Sequence, residues 1–233
     1  MLRFRTLSLG LLLLAAGFNL CATPLLKEGF TDITTLSGDG WVMTNNSSPL
    51  GIEGWFQGTP GVFGAESGAT DSYIAANFNN AAPGGNVSNW LLSPVVTLHD
   101  GMTILFYTRT EAPQIFADSL EVRLSTNGAS TDVGATDTSV GDFSNLVLAV
   151  NPLLNPTTYP GGWQQYTIFV SGLGLPTSGR VGFRYLVPDT NTNGNYIGID
   201  SVQFLALPEP TSMGLMMLGL GALALGGLRR VRR

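Results

Sequence analysis

Leu120-Glu121-Val122-Arg123-Leu124-Ser125-Thr126-Asn127-Gly128 decides the fold class of this chain. Apolar and polar residues alternate with a period of two. Leu120, Val122 and Leu124 therefore share one face of a strand, and Glu121, Arg123 and Ser125 the other. Thr126-Asn127-Gly128 breaks the pattern with residues that tolerate positive φ, so a turn follows. The same period recurs downstream. Tyr166, Ile168 and Val170 alternate with Thr167 and Phe169, and Val181, Phe183, Tyr185 and Val187 with Gly182, Arg184 and Leu186. Residues 73–78, 90–92, 95–98, 103–108, 145–150 and 196–204 read as further strands, with His99-Asp100-Gly101 as a hairpin turn between two of them. No stretch of residues 23–207 sustains a 3.6-residue apolar period. Many short strands with Gly, Asn and Pro turns predict an all-β chain, a two-sheet β-sandwich whose commonest form is a jelly roll.

Both ends of the 233-residue chain have another character. Arg3 and Arg5 precede an apolar segment over residues 7–16 that is too short to span a bilayer, which makes residues 1–22 a secretory signal peptide cut after Ala22. Cys21, the only cysteine, leaves with that signal, so the exported part has no disulfide. At the other end, Pro208-Glu209-Pro210 is followed by the uncharged residues 211–228 and by Arg229, Arg230, Arg232 and Arg233. An apolar run of this length reads as a short transmembrane helix, and the arginines as the membrane stop signal that stays cytoplasmic. With arginines at both ends held inside, residues 23–207 lie outside as one domain.

In that domain Lys27, Arg109, Arg123, Arg180 and Arg184 are the only cations against fifteen carboxylates, a net charge of −10. Nucleic acid, whose binding needs a basic surface, is excluded as a partner. Catalysis finds little footing. His99 is the single histidine, and the domain has no Gly-x-Ser-x-Gly elbow, no His-Glu-x-x-His and no cysteine nucleophile. The tryptophans Trp41, Trp55, Trp90 and Trp163 either fill the core or stack on sugar faces. Trp90 and Trp163 start strands beside apolar residues and read as core. Trp55, in a Gly-rich loop with Phe56 and Gln57, is the candidate ligand-binding aromatic.

Pro208, Glu209 and Pro210, the apolar run and the basic tail together resemble the PEP-CTERM sorting signal of biofilm-forming Gram-negative bacteria. The resemblance implies transient anchoring in the inner membrane, with the domain in the periplasm. An exosortase would then recognise the motif and deliver the protein to the cell surface or extracellular matrix. A second resemblance covers most of residues 27–204. Glu28-Gly29-Phe30, Gly40-Trp41-Val42, Trp55-Phe56-Gln57-Gly58, Asn89-Trp90-Leu91-Leu92-Ser93-Pro94, Trp163-Gln164-Gln165-Tyr166 and Tyr196-Ile197-Gly198-Ile199-Asp200-Ser201-Val202 follow the order of the choice-of-anchor J family, which is similar to cleaved-adhesin and MAM-type jelly rolls. It implies a β-sandwich adhesion or binding module and names no ligand. With little footing for catalysis, the module is expected to be non-enzymatic, with exopolysaccharide or another glycan as its partner. Related jelly rolls hold a structural calcium near their first and last strands, which makes Glu28, Asp118 and Asp200 the expected metal ligands. Asp200 also interrupts an apolar run, so if it points inward its charge needs a cation or an arginine such as Arg184, and otherwise it turns outward at a bulge. Two other classes remain, a secreted hydrolase of matrix polysaccharide and a purely structural matrix component.

Overall fold

The computed structural model describes residues 24–206, which contain thirteen strands and two single-turn 3-10 helices. In chain order the strands are β1 (Pro24–Glu28), β2 (Val42–Asn45), β3 (Ser48–Leu50), β4 (Phe56–Gln57), β5 (Ile74–Asn77), β6 (Ala81–Leu92), β7 (Val96–Leu98), β8 (Thr103–Thr110), β9 (Leu120–Ser125), β10 (Asn145–Val150), β11 (Gln164–Phe169), β12 (Thr177–Val187) and β13 (Tyr196–Leu205). They build two antiparallel sheets. The first runs β11-β8-β13-β5-β4, with β1 paired to β13, and the second runs β10-β9-β12-β6-β2, with β3 on β6 and β7 on β12. The all-β two-sheet sandwich is thus as the alternation predicts. Residues 1–23 and 207–233, and with them the signal peptide, the Pro-Glu-Pro motif, the apolar run and the terminal arginines, lie outside the described residues. Among the described residues no helix is long and apolar enough to cross a membrane.

The main core lies between the sheets and is made of the inward half of each alternating strand. Ile104 and Phe106 of β8, Val122 and Leu124 of β9, Phe183 and Tyr185 of β12, and Ile197, Ile199, Val202 and Phe204 of β13 are essentially without solvent exposure. Phe106 and Phe183 meet edge to face across the layers at 5.2 Å, so β8 of the first sheet is locked against β12 of the second.

One expectation fails on pairing. His99-Asp100-Gly101 is not a hairpin turn, because β7 pairs with β12 in the second sheet while β8 pairs with β11 and β13 in the first. The turn is a crossing between layers. The Asp100 carboxylate holds it by accepting from the backbone N–H of Leu173 at 2.8 Å, and Gly101 donates to the carbonyl of Val170 at 2.8 Å.

Each sheet also carries a smaller apolar cluster on its outer face. On the second sheet, Trp90 and Leu92 point away from the core and are buried by Val133 and Phe143 from the excursion between β9 and β10. On the first sheet, Tyr73, Ala75 and Tyr196 are covered by Phe63, with Phe56 and Trp163 packed against them. A glycine on each central strand makes room. A Cβ on Gly182 would stand 2.9 Å from the Phe143 ring, and one on Gly198 would stand 2.8 Å from Trp163 and 2.9 Å from Tyr73. Either contact is closer than a Cβ ordinarily makes, so a side chain at either position would lift the aromatic cover off the sheet.

Candidate functional site

The first sheet is covered over only half of its outer face. The chain between β4 and β5 folds over the end that carries Gly198, and Phe63 stacks on Tyr73 at 5.0 Å and on Tyr196 edge to face at 5.2 Å. Arg109 lies with its guanidinium carbon 4.2 Å from the Phe63 ring centre and donates to the carbonyl of Gly161 at 2.7 Å. Trp163 closes this cover, its Nε1 donating to the carbonyl of Gly64 at 2.8 Å. Trp163 is therefore half-buried on the outside of the sheet and not in the core between sheets.

The other half of that face is open. In β8 the outward residues Thr103, Leu105, Tyr107 and Arg109 are half-buried while their neighbours are buried. Register sets Gln165 and Asp200 beside Tyr107, Thr167 and Gln203 beside Leu105, and Lys27 beside Gln203. Gln165, Thr167 and Lys27 are exposed, and Phe169, at the end of the same β11 face, is 73% exposed. The result is a shallow strip in which Tyr107 and Leu105 supply apolar surface. Side-chain amides, each able to donate and to accept, line both flanks. Sequence reasoning missed this strip. Its signal was the outward set Thr103, Leu105, Tyr107 and Arg109, which alternation assigns to solvent without saying that two of them are apolar.

The expected ligand aromatic does not belong to it. Trp55 is 7% exposed and packs in the main core. Its Gly-rich neighbours made it look like a loop tip, but it immediately precedes the short strand β4, which pairs with β5, and its indole packs inward.

The three carboxylates expected to bind calcium are not gathered either. Among the described residues no group of three or more His, Cys, Asp or Glu side chains is placed to hold a metal ion. Glu28 Oε1 accepts from the backbone N–H of Phe30 at 2.7 Å. Next to it, the carbonyls of Phe30 and Asp71 converge on Nε2 of Gln57 at 2.8 and 2.5 Å, so a side-chain amide supplies the positive partner there. Asp118 lies elsewhere, buried among Thr110, Tyr185 and Asn195.

Asp200 is fully buried, as its place in an apolar run demands, and its hydrogen-bond partners among the described residues are backbone N–H groups and not Arg184. A bulge in β13 opposite β8 and a positive φ of 51° at Ser201 turn it toward the covering loop. Its Oδ2 accepts from the backbone N–H groups of Glu66 and Ser67 at 2.9 and 3.1 Å, and its Oδ1 from that of Ser201 at 2.5 Å. Burial nonetheless pushes its carboxyl up to about 6 against the pull of those N–H groups, with the nearby Glu66 carboxylate adding to the rise. Arg184, on the other sheet, pairs instead with Glu121 at 3.3 Å. His99 sits in the inter-sheet crossing with Nδ1 against the carbonyl of Asp100.

No protein-family model matches the chain, and no curated protein matches it in sequence. Solved structures do share its fold. The K3 cleaved adhesin domain of Lys-gingipain from Porphyromonas gingivalis W83 is 19% identical at a TM-score of 0.52, over 79% of this chain and 99% of that one. The K2 cleaved adhesin domain of Lys-gingipain is 18% identical at a TM-score of 0.52, over 77% of this chain and 98% of that one. At these identities the likeness is one of fold.

Proposed function

We propose that residues 23–207 form an exported, non-catalytic binding module that takes a neutral glycan chain along the open half of the first sheet. The observation that carries this reading is the strip itself, with the half-buried Tyr107 and Leu105 of β8 between Gln165 and Thr167 of β11 and Gln203 of β13. A sugar ring has an apolar face of C–H groups and a rim of hydroxyls. An aromatic ring suits the first, and side-chain amides suit the second. The charge of −10 over the domain favours uncharged polysaccharide over uronate-rich polymer, whose carboxylates it would repel. The fold shared with domains described as cleaved adhesins is consistent with an adhesive role.

The test is calorimetric titration with neutral hexasaccharides of β-1,4-glucan, xylan and galactan. At least one is expected to bind, and Tyr107→Ala is expected to weaken it by a factor of about 10 or more, which corresponds to about 1.4 kcal/mol, with the melting midpoint unchanged. Silence with all three, or a variant that binds as the parent does, removes the reading.

Delivery is the second half of the proposal. Pro208-Glu209-Pro210 offers an exosortase an extended peptide, because proline fixes φ and disfavours helix before it. The apolar run and the arginines would hold that peptide at the inner membrane until cleavage. Fractionation with intact-mass measurement is expected to find a surface or matrix form that lacks the terminal arginines. Full-length chain dissolved in the cytosol would sink this half and leave the binding strip standing.

A further inference from the structure

An open pocket of about 360 Å³ lies where the β2–β3 segment meets the excursion over the outer face of the second sheet, the face turned away from the sheet that carries Tyr107. Its walls are Asn45, Asn46, Ser47, Ser48 and Leu50, from the β2–β3 segment, and Ala135, Thr136 and Asp137, from the excursion that covers the outer face of the second sheet. The volume is at the small end of ligand clefts, which begin at about 300 Å³.

The walls are fixed before any ligand arrives. Asn46 Nδ2 donates to the carbonyl of Gly134 at 2.7 Å, and Asn86 Nδ2 donates to Asp137 Oδ2 at 2.7 Å. The guanidinium of Arg184, itself buried against Trp90 and Ser88, donates to the backbone carbonyl of Asp137. Thr136 and Ser139 tie the loop to itself, the backbone N–H of each donating to the other's hydroxyl at 2.9 and 3.1 Å. Asn46 Oδ1, Asp137 Oδ1 and Ser48 Oγ, none of them a buried atom, make no hydrogen bond among the described residues and so face the solvent of the pocket. Leu50, 63% exposed, adds one apolar wall. Rigid acceptors, a hydroxyl and a single apolar side wall in a small, otherwise polar space suit a neutral hydroxylated ring.

We propose that this cavity is a second glycan site, taking one sugar unit or chain end of a neutral polysaccharide. The inference rests on the reading of the module as a glycan binder. It adds that the module has two sites facing away from each other, because the strip and the cavity lie on opposite outer faces. Such a module links two polymer chains and does not merely coat one.

The experiment is two-dimensional ¹H–¹⁵N NMR of the secreted domain, residues 23–207, which carries every described strand and both outer clusters. It is titrated in turn with D-glucose, D-galactose, D-mannose, N-acetyl-D-glucosamine and sodium D-galacturonate. A neutral sugar is expected to move the Asn46 side-chain amide and the backbone amides of Thr136 and Asp137 with a millimolar dissociation constant, and galacturonate is expected to move them least. Ala135→Leu, at an exposed lining position with no side-chain hydrogen bond, fills the cavity and is expected to abolish the shifts. Asp137→Asn keeps the Asn86 contact and is expected to weaken them by a factor of a few. Tyr107→Ala should leave them untouched. No shift with any neutral sugar, shifts that Ala135→Leu leaves in place, or the same shifts from calcium chloride alone would each overturn the second site. Hexasaccharide binding that Tyr107→Ala removes, with the cavity silent, overturns this inference alone. Shifts at the cavity with a silent strip overturn the strip reading alone.

Discussion

Asp118→Ala costs the domain about 3–5 kcal/mol, measured as loss of unfolding free energy in urea, while Asp118→Asn costs about 1 kcal/mol or less. Asp118 is 1% exposed, and no lysine or arginine among the described residues forms an ion pair with it. Its Oδ1 accepts from the Tyr185 hydroxyl at 2.6 Å and from the backbone N–H of Asn195 at 2.7 Å, and its Oδ2 accepts from the Thr110 hydroxyl at 2.5 Å. Thr110 ends β8 of the first sheet and Tyr185 belongs to β12 of the second, so one carboxylate joins both layers and the turn that leads into β13. Alanine leaves the Tyr185 hydroxyl and the Asn195 N–H without acceptors in a dry site, at about 1–3 kcal/mol each before relaxation, while the Thr110 hydroxyl keeps the Tyr196 carbonyl at 3.0 Å. Asparagine keeps one oxygen, and its amide can donate to a hydroxyl that turns round.

The pair of variants separates geometry from charge. Burial raises the Asp118 carboxyl above its ordinary value of 3.8, against the downward pull of Thr110 and Tyr185. Between 3.8 and that raised value the folded state holds a proton that the unfolded state has released. Stability is therefore greater below this interval and falls as pH rises through it. Asp118→Asn cannot titrate, so its stability lacks that fall, and its disadvantage shrinks as pH rises. A slope equal to the parent's would show that Asp118 is ionised throughout.

The sheets were legible in the chain and their covers were not. Leu120–Ser125 and Asn145–Val150 fall where alternation and the apolar run put them, because a strand with one buried face writes its period directly into the sequence. Trp90 shows the limit. It is outward by register yet completely buried, since residues 129–144, which have no period at all, return to lie on it. The same holds for Tyr73 and Phe63 on the other sheet. Asp200 shows the limit for a site. Its position in an apolar run announced that it needed a partner, but the partners are the backbone N–H groups of Glu66 and Ser67, more than 130 residues earlier. Main-chain donors carry no residue signature, so a metal or an arginine was the natural reading from sequence.

That second-sheet cover is held by one indole, and Trp90→Ala is expected to release it without dissolving the sandwich. Trp90 has no exposure, packs on Phe143 at 5.7 Å and lies under the Arg184 guanidinium at 5.0 Å. Its Nε1 donates to Ser88 Oγ at 3.2 Å, an oxygen that also accepts from Arg184 Nε at 3.0 Å. Truncating a buried tryptophan costs about 3–5 kcal/mol. Here the loss falls on a cluster separate from the core between the sheets, where Phe106 and Phe183 are untouched. The cover opens locally because its few apolar anchors, Val133 and Phe143, lose their platform. Limited proteolysis should therefore cut the variant within residues 131–139 faster than it cuts the parent, while far-ultraviolet circular dichroism stays that of a β-sandwich. Arg184 would lose its aromatic partner but keep Glu121, so the Asp137 wall of the cavity would loosen and sugar-induced shifts there would vanish with Tyr107 unaffected. A variant that unfolds in one step with the whole domain would mean that cover and sandwich are a single cooperative unit; one that resists cleavage would mean that the cover does not depend on Trp90.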